Sequence, residues 1–582
     1  MSDQAIEARK ARLVGISRVV DPTGFPESIY EVLLRTATDF SDKGIQMGDR
    51  SGRHFERSTY QELLEHARRY SGYWRCAGIE KGDRILICQN TSWDFIGAWL
   101  GAILIGAHPA AIAPAVGGIK GSNHFADRLE TFRSVIGASK LLISERMAQD
   151  LKDEKSTTLG AIAITIDELK RNSGGDSHPI DAAPDDLAFL QFTSGSTGMP
   201  RAVMISHRMA THNAFSINEG ISAGKAPTIG DWSGVHSSWL PMHHDMGLIG
   251  CLLFAISCGV ELSLMNPATF LARPMRYLET AHGKRALFSG PNFGYQFCVD
   301  RLAPKDVSGL DLSGVRAAMT GSEMIRPETM QAFCELVSKT GFTPDRIMPC
   351  YGMAEATLAV TFDQKGEGVR TRSVPGTSES MFESQEVVCV GSPVPDMEVV
   401  IADSSGRILD EQQVGEIQVR GPSVFSGYYK NDEASKESLR ENWLKTGDLG
   451  FVCDGELYIA GRSKEILVIR GDNIMPHEIE WLAEEARGES KSADRVAAFS
   501  VAKENVGEEI ALVVETHLTD PVELKRLDHA VRSRIGRGMS LPIADLVFVR
   551  RGRIPRTSSG KIQRGKIKRQ YLEGEVERLD LK

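Results

Sequence analysis

A run rich in glycine and hydroxyl side chains lies between two apolar, strand-like segments. It reads Thr193-Ser194-Gly195-Ser196-Thr197-Gly198, and Arg201 follows after two residues. The glycines allow a tight turn and a close approach to a ligand, and successive backbone amides can form an anion-binding nest. A surface turn could have the same composition, but the order of the residues is far more specific than their composition. The run lacks the spacing of a Walker A loop, so it predicts phosphate binding by a loop of another kind.

Two further segments carry groups that suit a bound nucleotide. Tyr351-Gly352-Met353 follows a strand-like segment, and Glu355 stands two residues later. A tyrosine at a strand end can stack on adenine, and a nearby carboxylate can hold Mg²⁺ on phosphates. The alternative is an ordinary helix start with an exposed glutamate. Asp448 stands beside Gly447, where a carboxylate could accept two hydrogen bonds from a ribose or could simply form a β-turn.

A histidine pair beside an aspartate, His243-His244-Asp245, follows the apolar Trp239-Leu240-Pro241-Met242. Such a group could bind a metal or act as a catalytic dyad, although no third ligand is evident. A structural histidine at a strand end is the other interpretation.

Residues 550–569 hold nine Lys and Arg and no acidic residue. Such a basic stretch can be a solvated surface or a nucleic-acid-binding tail. Nucleic acid is disfavoured because no aromatic residues are interleaved with the charge. Docking of an acidic partner is the better use of this surface.

The composition is that of a globular protein with two to four domains. The chain has 582 residues, a net charge of −9 and nine dispersed cysteines, which argues against a whole-surface nucleic-acid binder and for reduced thiols in a reducing compartment. The polar N-terminus lacks the apolar core of a signal peptide. Pro109 and Pro114 interrupt the apolar stretch 95–115, which therefore predicts a buried helix and strand, no transmembrane segment and a cytoplasmic protein.

Strand-like and helix-like segments alternate over the first three quarters of the chain and predict an α/β fold. After Gly415 short strands predominate, and the segment beyond Gly461 and Arg462 is long enough to fold alone. We therefore predict a domain boundary between these two residues.

The phosphate loop resembles the signature of the adenylate-forming superfamily, which includes acyl-CoA synthetases, adenylation domains, luciferases and fatty acyl-AMP ligases. The resemblance covers nearly the whole chain, with its blocks in family order. Arg201-Ala202 replaces the usual Lys-Gly, and arginine is not equivalent to lysine there. The resemblance implies ATP and Mg²⁺ as cofactors. It also implies a large N-terminal domain, 1–461, of mixed sheets flanked by helices with a β-barrel-like subdomain, and a small mobile α+β C-terminal domain, 462–582.

The resemblance also implies roles for single residues. Lys561 would stabilise the negative charge that builds on the α-phosphate when a carboxylate attacks it. The other nucleotide-site assignments are Gly321, Ser322 and Glu323 beside the adenine, Tyr351, Gly352 and Met353 against it, Glu355 on Mg²⁺, Asp448 and Arg462 on the ribose, and Lys464 as the hinge.

Residues 239–250 resemble the WLP-x-x-HDMGL block of fatty acyl-AMP ligases, and Gly290-Pro291-Asn292-Phe293 agrees with that branch. The resemblance implies a catalytic position for His244, near the substrate carboxylate and the incoming thiol, and substrate contacts for His244, Asp245, Met246 and Asn292. Residues 361–394 resemble an insertion that this branch links to poor use of free coenzyme A. The insertion is polar, so a surface loop is an equally physical interpretation.

These resemblances lead to one expected activity. The chain activates a medium- or long-chain fatty acid with ATP to acyl-AMP and pyrophosphate, then transfers the acyl group to the phosphopantetheine thiol of an acyl carrier protein. One alternative is an acyl-CoA synthetase that uses free coenzyme A. The other is a catalytically weak paralogue that serves as a binding module, suggested by Arg201-Ala202.

Overall fold

The structure is a computed structural model that describes residues 9–16, 25–49, 51–114, 125–153, 157–171, 178–194, 199–222, 234–364, 366–375, 386–469, 472–486, 495–503, 507–539, 543–556 and 561–580. Strands and helices alternate through most of these residues, which confirms the α/β class predicted from the sequence.

The described strands form four sheets. Their bounds are β1 Arg12–Val14, β2 Gly44–Gly48, β3 Phe55–Thr59, β4 Arg84–Ile87, β5 His108–Ala111, β6 Lys140–Ile143, β7 Ala163–Thr165, β8 Leu187–Ser194, β9 Pro200–Ser206, β10 Val235–Ser238, β11 Glu261–Leu264, β12 Ala286–Pro291, β13 Val315–Gly321, β14 Ile347–Gly352, β15 Ala359–Phe362, β16 Thr371–Ser373, β17 Glu386–Pro393, β18 Glu398–Ala402, β19 Gly415–Arg420, β20 Leu439–Arg440, β21 Trp443–Cys453, β22 Glu456–Arg462, β23 Leu467–Ile469, β24 Asp472–Ile474, β25 Val496–Lys503, β26 Gly507–Thr516 and β27 Ile543–Arg550.

The helices cover the sheets. Their bounds are α1 Ile29–Asp39, α2 Tyr60–Cys76, α3 Trp93–Leu104, α4 Phe125–Ile136, α5 Glu145–Asp153, α6 Thr157–Ile162, α7 Ile166–Arg171, α8 His207–Ile221, α9 Asp245–Gly247, α10 Phe254–Cys258, α11 Pro267–Ala272, α12 Met275–Glu279, α13 Asn292–Arg301, α14 Pro304–Val307, α15 Pro327–Leu336, α16 Asp432–Ser438, α17 Pro476–Ala486, α18 Pro521–Met539 and α19 Arg564–Leu572. Capping boxes at Ser28 and Thr59 set the starts of α1 and α2, because each side chain accepts a hydrogen bond from the backbone three residues later.

The largest sheet follows the order β1-β18-β19-β21-β22-β17-β15-β14-β13-β12-β10-β11-β2-β3. Its central run, from β14 to β2, is parallel. The β-rich part that the resemblance implies to be barrel-like is the antiparallel run from β1 to β17, which joins the parallel run through β15. The carboxyl ends of parallel strands share one edge, so this sheet can gather side chains that are far apart in sequence.

A second sheet has the order β7-β6-β4-β5-β8-β9 and ends in the antiparallel β8–β9 hairpin. Helix α3 packs beside it, with every residue from Phe95 to Leu104 buried. Strand β5 follows at once and is largely buried. The prediction of a buried helix and strand for residues 95–115 is therefore confirmed over the described part. Among the described residues, none of the helices combines the length and apolar character that crossing a bilayer requires.

The residues after 466 build two apolar clusters of their own around the sheet β25-β26-β27. One cluster contains Ile479, Leu512 and Phe548, and it lies beneath α17 and α18. The other contains Phe499 and Ile567, and it packs α19 against the opposite face. Helix α17 also reaches back to the rest of the molecule through the ion pair between Glu484 and Arg326.

Candidate active site

Four neighbouring parallel strands end at one place. His244 and Asp245 follow β10, Asn292 follows β12, Ser322 and Glu323 follow β13, and Tyr351 and Gly352 end β14. The outer side of strand carboxyl ends is the usual ligand site of such sheets. The topology therefore brings together blocks that the sequence separates by more than a hundred residues.

Tyr351, Asp448 and Arg462 form one hydrogen-bonded group. The Tyr351 hydroxyl donates to Asp448 Oδ2 at 2.7 Å, and Arg462 Nε donates to Asp448 Oδ1 at 3.0 Å. Asp448 lies opposite Arg462 in the β21–β22 ladder, so the pairing of these strands fixes this contact. Burial, reinforced by the Asp448 charge, raises the pKa of Tyr351 well above its ordinary value. Asp448 is thus a strand residue, and the simple β-turn interpretation is wrong.

Glu355 is held by Tyr428, whose hydroxyl donates to Glu355 Oε1 at 2.9 Å. Burial raises the pKa of Glu355, although the Tyr428 hydrogen bond opposes the shift. Glu355 lies in a turn of 3₁₀ helix rather than at the start of an exposed helix. Thr357, two residues on, has a φ of +66°, a costly conformation for a β-branched residue. Its hydroxyl donates to the Ser423 carbonyl at 2.7 Å, which helps to hold this turn in place.

His244 and Asp245 form a close pair, with His244 Nδ1 2.9 Å from Asp245 Oδ1. The same carboxylate oxygen accepts a hydrogen bond from the Met246 amide at 2.7 Å. Burial alone would raise the pKa of Asp245, but His244 and the charge of Lys561 outweigh it and lower that pKa. The described residues contain no group of three or more His, Cys, Asp or Glu that could hold a metal.

Glu323 and Asn292 both bind backbone amides. Glu323 Oε1 accepts from the Phe293 amide at 2.6 Å, and Asn292 Oδ1 accepts from the Arg326 amide at 3.0 Å. Burial raises the pKa of Glu323 despite the nearby charges of Lys561 and Arg495. These bonds tie the ends of β12 and β13 together and shape the wall of the site.

Gly321, Ser322 and Gly352 stand at positions where a larger side chain or another backbone conformation would be strained. A Cβ at Gly352 would lie 1.8 Å from the Leu358 carbonyl oxygen, and one at Gly321 would lie 2.7 Å from the Cys350 carbonyl oxygen. Ser322 between them has a φ of +67°, and its Oγ donates to Met246 Sδ at 3.6 Å. The Met353 amide donates to the Leu358 carbonyl at 2.8 Å and closes the turn after β14.

Lys561 lies in this group although it comes from the far end of the chain. Burial and the nearby Arg462 lower its pKa, while Asp245, Glu323 and Asp448 raise it. Those three carboxylates come from β21 and from the segments after β10 and β13. The charge of Lys561 therefore interacts with three carboxylates that belong to different strand ends.

The described part of the phosphate loop is its base. Thr193 pairs with Arg201, and Ser194 with Pro200, at the end of the β8–β9 hairpin. Gly195, Ser196, Thr197 and Gly198 lie outside the described residues, so their predicted phosphate contacts stay predictions.

Arg201 contacts a residue that also touches the Glu355 site. Its guanidinium lies 5.2 Å from the centre of the Tyr428 ring. Glu437 is 3.8 Å from Arg201 and also 3.8 Å from Lys464, the predicted hinge residue. The loop cation and the hinge cation therefore share one exposed carboxylate.

Two groups at this site were not predicted from the sequence. Tyr428 binds Glu355, but the apolar and glycine-containing sequence around Tyr428 contains no motif that predicts this role. Arg326 pairs with Glu484 at 2.7 Å and lies 4.7 Å from the Trp481 ring centre. Only the preference of arginine for aromatic and acidic neighbours could have suggested that contact, and it does not identify the partners.

Comparisons with known proteins agree with this geometry. Residues 35–429 match the family described as AMP-binding enzyme. The chain is 31% identical over 548 residues to the medium-chain-fatty-acid–[acyl-carrier-protein] ligase JamA of Moorena producens (strain JHB), covering 89% of this chain and 90% of JamA. It is 30% identical over 560 residues to a protein of Caulobacter vibrioides (strain NA1000 / CB15N) provisionally named an acyl-CoA synthetase, covering 93% of this chain and 95% of that one.

A solved structure from a study of fatty acyl-adenylate ligases from E. coli and L. pneumophila superimposes on the chain with a TM-score of 0.84. The two are 29% identical, and the match covers 95% of this chain and 98% of the other. The predicted kinship with acyl-adenylate-forming ligases is confirmed, and the chain belongs to the family of AMP-binding enzymes.

Proposed function

We propose that this enzyme activates a fatty acid with ATP and passes the acyl group to the phosphopantetheine thiol of an acyl carrier protein. The observation that carries the proposal is the position of Lys561 among Asp245, Glu323 and Asp448. A cation at that point suits a reaction in which negative charge develops between a bound nucleotide and a second substrate.

In the first half-reaction an oxygen of the fatty acid carboxylate attacks the α-phosphorus of ATP. The bond from that phosphorus to the bridging oxygen breaks, and pyrophosphate leaves with the electron pair. Lys561 is proposed to stabilise the charge on the α-phosphate oxygens during this exchange. Tyr351, Asp448 and Arg462 are proposed to hold the adenosine, because they already form one hydrogen-bonded group around the buried Asp448 at a strand end.

Glu355 is the residue proposed to bind Mg²⁺. Magnesium typically takes only one or two protein carboxylates and completes its shell with phosphates and water. A single partly buried carboxylate with one oxygen held by Tyr428 fits that donor set. When bound, the ion would neutralise phosphate charge.

In the second half-reaction the thiol sulfur attacks the acyl carbon. The carbon–oxygen bond to AMP breaks, the thiol proton is lost, and AMP leaves. His244 lies beside Asp245, so it is proposed to lie near the thiol's approach and to accept that proton. We propose that residues 462–582 form the mobile domain that turns about Lys464 between the two half-reactions. Their separate apolar clusters support this division of the chain.

The choice of carrier protein over coenzyme A is supported by the name of the JamA relative and by the insertion 361–394. Part of that insertion is a hairpin, in which β16 pairs with β17. Arg370 anchors it through Asp363 at 2.8 Å, and it also pairs with Glu456 of β22. Both carboxylates are nearly fully buried. A hairpin fixed in this way is a fitted part of the fold and not only a loose surface loop.

The Caulobacter relative's name supports the competing acyl-CoA synthetase activity. Both products can be measured in one assay with ATP, laurate and either coenzyme A or a holo acyl carrier protein. The proposal expects laurate-dependent pyrophosphate release and acylated carrier protein. Efficient formation of lauroyl-CoA would contradict the choice of a carrier protein as acceptor. The absence of pyrophosphate release with every acid tested would contradict the adenylation activity and favour a catalytically weak paralogue.

A further inference from the structure

A narrow cavity runs from the candidate active site into the large sheet. It has a volume of about 40 Å³, and its walls include Met246, Ser322 and Tyr351 at the strand ends and Ser289 and Met319 farther in. Ser289 pairs with Met319 across β12 and β13, two residues before the pair Pro291 and Gly321 that ends both strands. At 3.3 Å per residue, Ser289 therefore lies about 7 Å below the edge where the carboxylate is activated.

Most of the cavity wall is apolar, but Ser289 brings a hydroxyl to its inner part. The Ser289 Oγ lies 2.7 Å from Nε2 of His236, which stands on the neighbouring strand β10. The side chains of both residues are almost completely buried. The backbone of Ser289 is fixed as well, because the Tyr277 hydroxyl accepts from its amide and donates to its carbonyl.

The state of His236 decides what the Ser289 hydroxyl can do. Burial lowers the pKa of His236 to about 3, so the ring is neutral near pH 7, with one nitrogen a donor and the other an acceptor. Within the described part of the chain, Nδ1 of His236 has no hydrogen-bond partner. A buried N–H without a partner is rarer than an unused acceptor. The hydrogen therefore belongs on Nε2, which donates to Ser289 Oγ.

With this tautomer, the Ser289 hydroxyl accepts a hydrogen bond from His236 and does not donate its own hydrogen to that ring. Cys251 Sγ lies 3.9 Å from His236 Nε2 and is also the hydrogen-bond partner of the Ser289 hydroxyl, but a thiol is a weak hydrogen-bond partner. The Ser289 hydroxyl can then donate to an oxygen in the cavity, and its remaining lone pair can accept from a hydroxyl there. A plain alkyl chain would leave this hydroxyl with only the weak thiol partner Cys251, whereas an oxygen on the chain would be a stronger one.

We propose that the acid this enzyme prefers carries an oxygen substituent, a hydroxyl or a keto group, that Ser289 binds at the inner end of the acyl pocket. This inference rests on the proposed acid-activating function and specifies its substrate class. The flexible Met246 and Met319 side chains are the groups that must move to widen the pocket when the acid enters.

The test compares octanoate with a series of hydroxyoctanoates and oxooctanoates in which the oxygen moves one carbon at a time along the chain. Acid-dependent pyrophosphate release is measured with the full-length enzyme. We expect one position to exceed octanoate in kcat/KM by about tenfold, the size of one buried hydrogen bond. Ser289→Ala should abolish that preference, so that octanoate and the oxygenated acids are activated with similar kcat/KM, whereas Ser289→Thr should retain it. Met319→Leu is the matched control, since it changes the facing wall without removing a polar group.

The outcomes separate the two proposals. If octanoate is activated at least as well as every oxygenated acid, or if Ser289→Ala keeps the preference, the inference about Ser289 is wrong and the adenylation activity stands. If no acid at all supports pyrophosphate release, the proposed function fails and this inference fails with it. The comparison of octanoate with the oxygenated acids uses the wild-type enzyme, so its result does not depend on whether a variant folds.

Discussion

The two sides of the candidate active site are held in different ways. On the side of the large sheet, side chains are fixed by strand pairing and buried hydrogen bonds, as in the contact from Tyr351 to Asp448. On the side of the residues after 466, the attachment runs through side chains such as Arg326 and Glu484, both of which remain partly exposed. Such partly exposed ion pairs contribute little free energy. The large-sheet side is thus held by the stronger contacts, which agrees with the proposal that the side carrying Lys561 separates from it between the two half-reactions.

The largest effect is expected from Lys561→Ala. Loss of one transition-state donor should reduce the rate of adenylation by about 10²–10³-fold. Pyrophosphate release measures this step, and transfer from chemically supplied acyl-AMP should be affected far less. Pyrophosphate release at the wild-type rate would show that the cation is not needed and would remove the assignment of Lys561.

A smaller loss is expected on the fixed side from Asp448→Asn. The substitution removes the charge from two hydrogen bonds, and kcat/KM for ATP should fall by about 10- to 100-fold. Tyr351→Phe is the matched control, because it removes one partner and leaves the carboxylate, so its loss should be smaller. Equal losses in both variants would mean that the Asp448 charge has no separate role.

Arg326→Ala tests the separable side. It removes the ion pair with Glu484 and the stacking on Trp481, together worth about 1 kcal/mol, so adenylation should fall about fivefold. Transfer from supplied acyl-AMP should stay unchanged or rise, since that step does not use this contact. Arg346→Ala is the control, because Arg346 forms an exposed pair with its neighbour Asp345. A parallel fall in both half-reactions would argue for a general structural role.

The smallest effect is expected from Arg201→Lys, which restores the residue usual in the family. The lysine keeps the charge and loses the flat contact with Tyr428, so adenylation should change by less than about threefold. Steady-state rates at saturating and limiting ATP measure this. A loss above tenfold would indicate that the guanidinium has a specific task on the phosphate side.

The strand-end blocks could be predicted because each consists of an apolar segment followed by polar residues. The strand-like segments Lys140–Ile143 and Gly415–Arg420 of the sequence predict strands with the bounds observed. The sequence also predicts a strand that begins at Leu449, but β21 begins at Trp443. Gly447 has a φ of +71°, and the ladder shifts its register just beyond it, so a bulge inside the strand looks like a turn in the sequence.

The contacts that sequence reasoning missed depend on distance along the chain. Tyr428 and Glu355 are 73 residues apart, and Arg326 and Glu484 are 158 apart. No local periodicity carries information about such pairs, because the sheet topology alone decides which segments meet. The roles assigned to Gly195 and Gly198 stay predictions because these residues lie outside the described ranges, and the hinge role of Lys464 also stays a prediction.

The pairing of Asp448 with Arg462 in adjacent strands has a consequence for the lifetime of the intermediate. Asp448 lies in β21 and stays with the large sheet whatever the segment beyond Arg462 does. An acyl-adenylate is a mixed anhydride that water would destroy if it were released. If Asp448 holds the ribose and the later segment turns, as proposed, this anchor would let the enzyme exchange one partner for another without releasing the activated acid.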